Sequence, residues 1–423
     1  MKANRTRRDF FASAGGLLAT GGLAGAPQLA VGATSENKTE TGEDYYEKLG
    51  VSKFINAAGT YTVLTASTMP PQVEAAVARA AKYYVRLPEL QAAAGKYLAQ
   101  RLHCEGALVC AGAASGLTLG TAACMTIANR DAIHNIPTDM TGLKNEVIVQ
   151  KAHRYDYDHA LRNCGIRFVE VETASQYEEA FNQRTVMAHF FNAAEGGQIS
   201  REDWIRIAHK HGVPCFNDAA ADVPPISNLW NYTKMGFDLV TFSGGKGIRG
   251  PQNAGLLLGR KDLIEAATAN NSPSSDTVGR GMKVAKEQIV GMVAAVDWFL
   301  SQTDEGMQTE FRKRADLIAA TVKDLPTMQS EIVVPPVANQ VPHLLLRYDQ
   351  DKIKISPLEV AERLRHGTPS IELNPATGRT EGSAGLPSNA NTIVVGVWML
   401  DPGEDIIVAQ RLKEVLSQAS SAA

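Results

Sequence analysis

The stretch DLVTFSGGKGIRGPQNAG, residues 238–255, sets a single lysine at the end of an apolar run and surrounds it with glycine. DLVTFS reads as a buried strand ending at Ser243; Gly244, Gly245 and Gly247 then carry the chain around Lys246, and AGLLLG (254–259) opens another apolar run. In a crowded, partly dry pocket an ammonium group is destabilised, and the neutral amine becomes a nucleophile able to form a Schiff base. On this stretch alone, a surface lysine in a glycine loop is an equal reading.

Outward from this point the chain alternates. Strands are expected at ALVC (107–110), EVIVQ (146–150), IRFVEV (166–171), TVMAHFF (185–191), VPCFND (213–218), DLVTFS and AGLLLG. Helical or polar segments such as SREDWIRIAHKHG separate most of them, which predicts an α/β fold with a mostly parallel, doubly wound sheet. MKVAKEQIVGMVAAVDWFLSQ (282–302) has the apolar period of a long helix leading to a second unit, with strands in VPHLLLRYD (341–349) and NTIVVGVWML (391–400) and helices at SPLEVAERLRHG and after DPGED. The expected division is an export signal over 1–33, a linker and extended N-terminal arm over 34–75, a large domain over 76–302 and a small C-terminal α+β domain over 303–423.

The 423-residue chain is 44% hydrophobic with net charge −3, enough for a large core and without the basic field that nucleic acid asks for. No uncharged apolar run reaches the ~20 residues of a membrane span. MKANRTRRDFFASAGGLLATGGLAGAPQLAVGA (1–33) has a basic start, a weakly apolar run and small residues suited to cleavage. Arg7-Arg8 ahead of Asp9-Phe10-Phe11 is similar to a twin-arginine signal, predicting use of that export machinery and a periplasmic or secreted protein. Its removal takes four basic residues and one acidic residue, leaving a more acidic chain. The odd count of five cysteines fits no zinc spacing and reads as buried thiols, so no metal is expected.

Two more strand ends bear on Lys246. Asp218 closes VPCFND, where a carboxylate suits a protonated ring nitrogen, or caps the helix after it. Gly112-Ala113-Ala114-Ser115-Gly116 opens a helix after a strand, where free N–H groups and the Ser115 hydroxyl suit a phosphate, although a plain loop is the commoner meaning of such a turn. No G-x-G-x-x-G stands after the first strand, as a nicotinamide enzyme would need. Helix-start cup, aspartate about 100 residues on and lysine 28 beyond it is the layout of fold-type I pyridoxal phosphate enzymes. From about Ile55 to Gln302 the chain resembles the selenocysteine synthase-like family, a group that includes D-glucosaminate-6-phosphate ammonia-lyase. The resemblance rests on INAAGTYT, STMPPQV, ELQAAAGKYLA, EGALVCAGAASG, HRYDYDHALRNCG, FNDAAAD, GFDLVTFSGGKGIRGPQNAGLLLG and GRGMKVAKEQIVG.

The resemblance implies an aspartate aminotransferase-like fold, pyridoxal 5'-phosphate as cofactor and a homodimer or larger homo-oligomer. It implies Lys246 as the Schiff-base lysine, Asp218 as partner of the pyridine nitrogen, His153 as the residue stacked on the ring, and Ala113, Ala114 and Ser115, with Ser243, around the phosphate. Arg249, Thr60 and Tyr61 are candidates for the substrate pocket, and Arg280 and Lys283 for a second anion site or a solvated helix start. Where the selenocysteine synthases carry an arginine on a late strand, this chain has Trp398; Arg379, Arg365 and Arg347 are candidate substitutes. The nearest resemblance implies a lyase acting on an amino acid or amino sugar acid by β-elimination. Transferase, racemase and aldolase chemistry stay open, as does a binding protein without turnover. A short polar linker stands where that family has a tRNA-binding domain, so no nucleic acid partner is expected.

Overall fold

The structure, a computed structural model, describes residues 42–194, 197–380, 385–387 and 389–421. The expected export signal lies outside the described residues. The chain divides into a unit over Met1–Ser52 and a larger one over Lys53–Ala423. In the first, a single-turn helix, Tyr45–Lys48, is started by Asp44, whose Oδ1 accepts from the N–H of Tyr46 at 2.9 Å and of Glu47 at 3.4 Å.

The larger unit holds β1 (Phe54–Ala57), β2 (Gly106–Cys110), β3 (Glu146–Gln150), β4 (Arg167–Val171), β5 (Thr185–Phe191), β6 (Cys215–Asp218), β7 (Leu239–Ser243), β8 (Gly255–Gly259), β9 (Gln329–Val333), β10 (His343–Arg347), β11 (Ser370–Leu373) and β12 (Thr392–Gly396). A seven-stranded sheet runs in the order β2-β8-β7-β6-β5-β3-β4. Its pairs from β7 to β4 are parallel, whereas β8 is antiparallel to both β7 and β2. The reason is local. No helix intervenes between Ser243 and Gly255, so the chain turns straight back, while the parallel neighbours are joined by crossovers. This is the α/β fold the alternation predicts, with one reversed strand.

Helices cover both faces. On one, Trp204, Ile289 and Phe299 pack with Phe190 and Val240; on the other, Leu117 and Leu119 pack with Phe216 and Leu239. The helix Ala113–Thr126 is buried along almost its whole length because two glycines let it sit directly on the sheet. A Cβ at Gly116 would lie 2.3 Å from Thr241 Oγ1, and one at Gly120 would lie 2.4 Å from the Phe216 ring. Beyond the helix Lys286–Leu300, β9, β10 and β12 form an antiparallel sheet under the helices Asp304–Val322 and Glu404–Ser421, with a core of its own.

That second core also takes Ile55 and Ala57. The INAA segment, expected as part of an extended arm, is a strand whose Ile55 pairs with Ile371 of β11. β9 and β11 carry little sequence signal, being short and partly exposed. All five cysteines are free; burial pushes the Cys104 thiol up to about 11 and that of Cys110 up to about 12. Among the described residues no helix is long and apolar enough to cross a membrane.

Candidate active site

Strand register brings the predicted residues to one edge. Gly255 is opposite Ser243 on one side and opposite Cys110 on the other, so the ends of β7 and β2 flank β8 at the same level. A Cβ at Gly255 would be 2.6 Å from Gly112 C, which is how closely the turn before Ala113 crosses β8. Asp218 pairs with Thr241 in β7 and with Phe191 in β5. Side chains alternate along a strand, so Asp218, Thr241 and Ser243 share the face on which the helix Ala113–Thr126 lies. Lys246, Asp218, Ser243 and the helix start are thus neighbours at the carboxyl ends of β2, β6 and β7.

The glycines around Lys246 have a steric cause. Added Cβ atoms would lie 2.7 Å from Ala254 O at Gly244, 2.5 Å from Gln252 Cα at Gly245 and 2.1 Å from Val223 O at Gly247. At Gly245 and Gly247 the obstacle is backbone, which cannot rotate aside; at Gly244 the Met292 Sδ, at 2.4 Å, stands closer still. The loop is therefore wedged between the turn after β6 and its own return. Ser67 adds a hydrogen bond from its hydroxyl to Gly245 O at 2.6 Å.

Electrostatics follow from that enclosure. Burial holds the Lys246 ammonium below the ordinary lysine range, against the charges of Asp218 and Asp222, which favour the proton. Burial raises the Asp218 carboxyl, opposed by hydrogen bonds from Tyr155 and from the Ala220 N–H and by the Lys246 charge. The Tyr155 hydroxyl donates to Asp218 Oδ2 at 2.5 Å, and its ring stacks on Phe191 with centroids 3.8 Å apart. His189 Nε2 lies 3.4 Å from the same hydroxyl; burial and the neighbouring His153 hold that imidazole at about 3, so it is neutral.

Ser115 Oγ is buried with no hydrogen-bond partner, at the start of the helix Ala113–Thr126, next to the first-turn N–H groups that a helix leaves unpaired. An unsatisfied hydroxyl there fits a phosphate acceptor. The buried Asp218 carboxylate fits a protonated ring nitrogen, and Lys246 fits an aldehyde. These residues suit pyridoxal phosphate.

Other candidates stand elsewhere. His153 is buried edge-on against Phe190 at 4.4 Å, and its Nδ1 accepts from the Phe191 N–H at 3.3 Å. Phe190 pairs with Asn217, one position off the Phe191–Asp218 pair, so it faces the opposite side of the sheet from Asp218. The aromatic ring next to Asp218 belongs to Tyr155, two residues further on. Arg249 has φ 57° and turns to the arm: its Nε donates to Thr68 O at 2.8 Å and its guanidinium lies 3.5 Å from Asp401. Arg347 is paired with Glu331 and Arg365 with Glu372, while Arg379, Arg280 and Lys283 are exposed. Thr60 and Tyr61 are half-buried. Asn374, just past β11, donates to Ala58 O at 2.9 Å and to the Tyr61 hydroxyl at 3.2 Å. Trp398 is buried with its indole N–H unpartnered, 3.5 Å from where a Cβ on Gly59 would stand.

Sequence reasoning passed over Tyr155 and Asp222. The first had a signal, an aromatic residue shortly after a strand end in HRYDYDH; the second stands four residues after Asp218 in DAAAD, too common a pattern to single out.

The model of the family "SelA: L-seryl-tRNA selenium transferase" matches residues 54–311, and the chain belongs to that family. The D-glucosaminate-6-phosphate ammonia lyase of Salmonella typhimurium is 26% identical over 392 residues, covering 89% of this chain and 98% of the relative. A 5'-C-glycyluridine monooxygenase-decarboxylase of Streptomyces sp is 28% identical over 385 residues, covering 88% and 92%. Among solved structures, that of a D-glucosaminate-6-phosphate ammonia-lyase superposes with a TM-score of 0.75 at 25% identity, covering 89% of this chain and 99% of the other. The chain is a fold-type I enzyme whose cofactor is pyridoxal phosphate.

Proposed function

We propose that this member of the L-seryl-tRNA selenium transferase family is a lyase that eliminates a β-group from an amino acid or amino sugar acid, releasing ammonia and a keto acid. The observation that carries the reading is Lys246, desolvated in a loop of crowded glycines at the same strand ends as the buried Asp218 carboxylate. The match along 98% of an ammonia lyase supports the reaction class and a small-molecule substrate rather than an aminoacyl-tRNA.

Bound pyridoxal phosphate supplies an electron sink for the carbon that bears the substrate amine. The chain does the rest. Ala113, Ala114 and Ser115 would hold the phosphate with helix-start N–H groups and a hydroxyl, with Ser243 beside them. Asp218 would keep a proton on the ring nitrogen, oriented by Tyr155. Lys246 Nζ is the atom that would carry the cofactor and, once displaced by substrate, accept the Cα proton, since burial keeps a fraction of the amine neutral. Arg249 hydrogen-bonds Thr68 of the arm and lies 3.5 Å from Asp401.

Arg7-Arg8 supports export of the folded protein by the twin-arginine route to the periplasm or medium. The test of the core reading is borohydride reduction of the cofactor-loaded protein, then digestion and mass spectrometry. A pyridoxyl adduct is expected on Lys246 and none in Lys246→Ala, which should lose turnover. The partner experiment is a panel of D- and L-amino acids, hydroxyamino acids and amino sugar acids, scored for ammonia, keto acid and change of chirality. No adduct on Lys246 overturns the assignment; chirality change without ammonia overturns the lyase.

A further inference from the structure

We infer that Ser67 and Thr68, on the arm that follows β1, are positioning residues for Lys246: they bond its loop on either side of the lysine and fix the peptide plane from which its side chain starts. This rests on the functional reading of Lys246 given above.

The loop needs a hold from outside itself. Crowding demands glycine at 244, 245 and 247, and glycine leaves the backbone freer to rotate than any other residue. The Gly245 carbonyl and the Lys246 N–H belong to one planar peptide unit, so turning that carbonyl turns the start of the Lys246 side chain. The loop's own bonds fall elsewhere. The Gly244 N–H donates to Ala254 O at 2.8 Å, the Gly250 N–H to Gly244 O at 2.8 Å and the Arg249 N–H to Lys246 O at 2.9 Å. Gly245 O accepts instead from the Ser67 hydroxyl, at 2.6 Å. Three residues past Lys246, Arg249 reaches the same arm: Nε donates to Thr68 O at 2.8 Å and Nη2 to Thr68 Oγ1 at 2.5 Å. Gln252 Nε2 adds a bond to Thr62 O at 3.2 Å.

The arm is shaped to make these contacts. Thr65 and Ala66 both have φ 61°, the left-handed region that is costly for a residue with a Cβ and most costly for a β-branched one. Arg249, with φ 57°, is their counterpart in the loop. Such backbone persists where its surroundings over-determine it. Asn56 supplies that constraint on the arm. Its Oδ1 accepts from the N–H groups of Ala58 at 3.1 Å and Gly59 at 3.0 Å, and its Nδ2 donates to Gly59 O at 3.1 Å and Ala66 O at 3.4 Å. Asn56 lies on β1, whose Ile55 and Ala57 belong to the second core. The Lys246 loop is therefore tied to that core through Ser67 and Thr68, and the strained residues stand where arm and loop meet. Ser67 is only half-buried and Thr68 is exposed, so neither hydroxyl needs a protein partner to escape burial.

The test is stopped-flow absorbance of the cofactor-free protein mixed with pyridoxal phosphate, in wild type, Ser67→Ala, Ser67→Thr and Thr68→Val. The reaction followed is imine formation between Lys246 Nζ and the aldehyde, with release of one water. Loss of a neutral hydrogen bond is expected to slow it about three- to tenfold in Ser67→Ala. Ser67→Thr, which keeps the hydroxyl, should stay near wild type. Thr68→Val removes Oγ1 and leaves the carbonyl, so the rate should fall about twofold, and this variant carries the test if Ser67→Ala does not fold. Pyridoxamine phosphate, which has an amine in place of the aldehyde and cannot form the imine, should bind all four proteins alike. An unmoved rate in either Ser67→Ala or Thr68→Val, a fall in Ser67→Thr equal to that in Ser67→Ala, or an equal loss of pyridoxamine phosphate affinity overturns the inference. Absence of a reducible adduct on Lys246 in wild type takes down the functional reading and this inference with it; a wild-type adduct with unmoved rates is the failure of this inference alone.

Discussion

Tyr155→Phe isolates one hydroxyl. The ring that stacks on Phe191 at 3.8 Å survives the change, and only the bond of 2.5 Å to Asp218 Oδ2 is lost. Asp218 keeps the Ala220 N–H at 3.0 Å. A hydrogen bond to a buried carboxylate contributes about 1.5–3 kcal/mol, so its loss should raise proton affinity at Asp218 further. The sign follows from burial. Asp218 already sits above its ordinary value in the folded protein, so folding is favoured while it is protonated and stability falls as pH rises through that raised value. Tyr155 limits the fall, and removing it deepens the fall on the alkaline side. In the cofactor-free protein, the thermal midpoint of Tyr155→Phe should therefore drop by several degrees at pH 8, at roughly 2 °C per kcal/mol, and by less than half as much at pH 5. The assay is circular dichroism melting of both proteins across pH. An equal drop at the two pH values would mean that the hydroxyl acts through packing and not through the Asp218 charge, and the electrostatic account of this pair would be wrong.

Other outcomes follow from the same site. Ser115→Ala removes a buried hydroxyl that has no partner in the protein, so it should cost the cofactor-free protein no stability. Affinity for pyridoxal phosphate should fall by about 10- to 100-fold, while pyridoxal, which lacks the phosphate, binds as before; equal weakening of both in a binding titration would remove Ser115 from the phosphate site. Replacing Arg7 and Arg8 with lysine should leave the protein in the cytoplasmic fraction on immunoblotting, and undiminished delivery to the periplasm would end the twin-arginine proposal.

The legible part of this protein was local. Apolar runs located the central strands such as β2, β3 and β8, since a strand buried on both faces must be largely apolar. The site residues stood out wherever a strand ended on an unusual polar residue: Lys246 among its glycines, Asp218 after CFN, Ser115 in the helix-opening turn. Short strands that are stable only against distant partners were not legible. Phe54–Ala57 looks like an arm until Ser370–Leu373 pairs with it, and neither segment has an apolar face broad enough to declare itself. Likewise, the sequence places His153 and Tyr155 both just past β3, and nothing in it says that the single turn Lys151–His153 sends the histidine to Phe190 and leaves the tyrosine to reach Asp218.

By itself the sequence determined the layered α/β architecture and singled out Lys246, Asp218 and Ser115 as candidates, because hydrophobic period and glycine placement are properties of neighbouring residues. Only the tertiary structure decided which groups meet: that Arg249 is occupied by Thr68 and Asp401, and that Tyr155 rather than His153 hydrogen-bonds Asp218. Charge interactions depend on distance and burial in three dimensions, and a linear spacing of 28 residues between Asp218 and Lys246 carries neither.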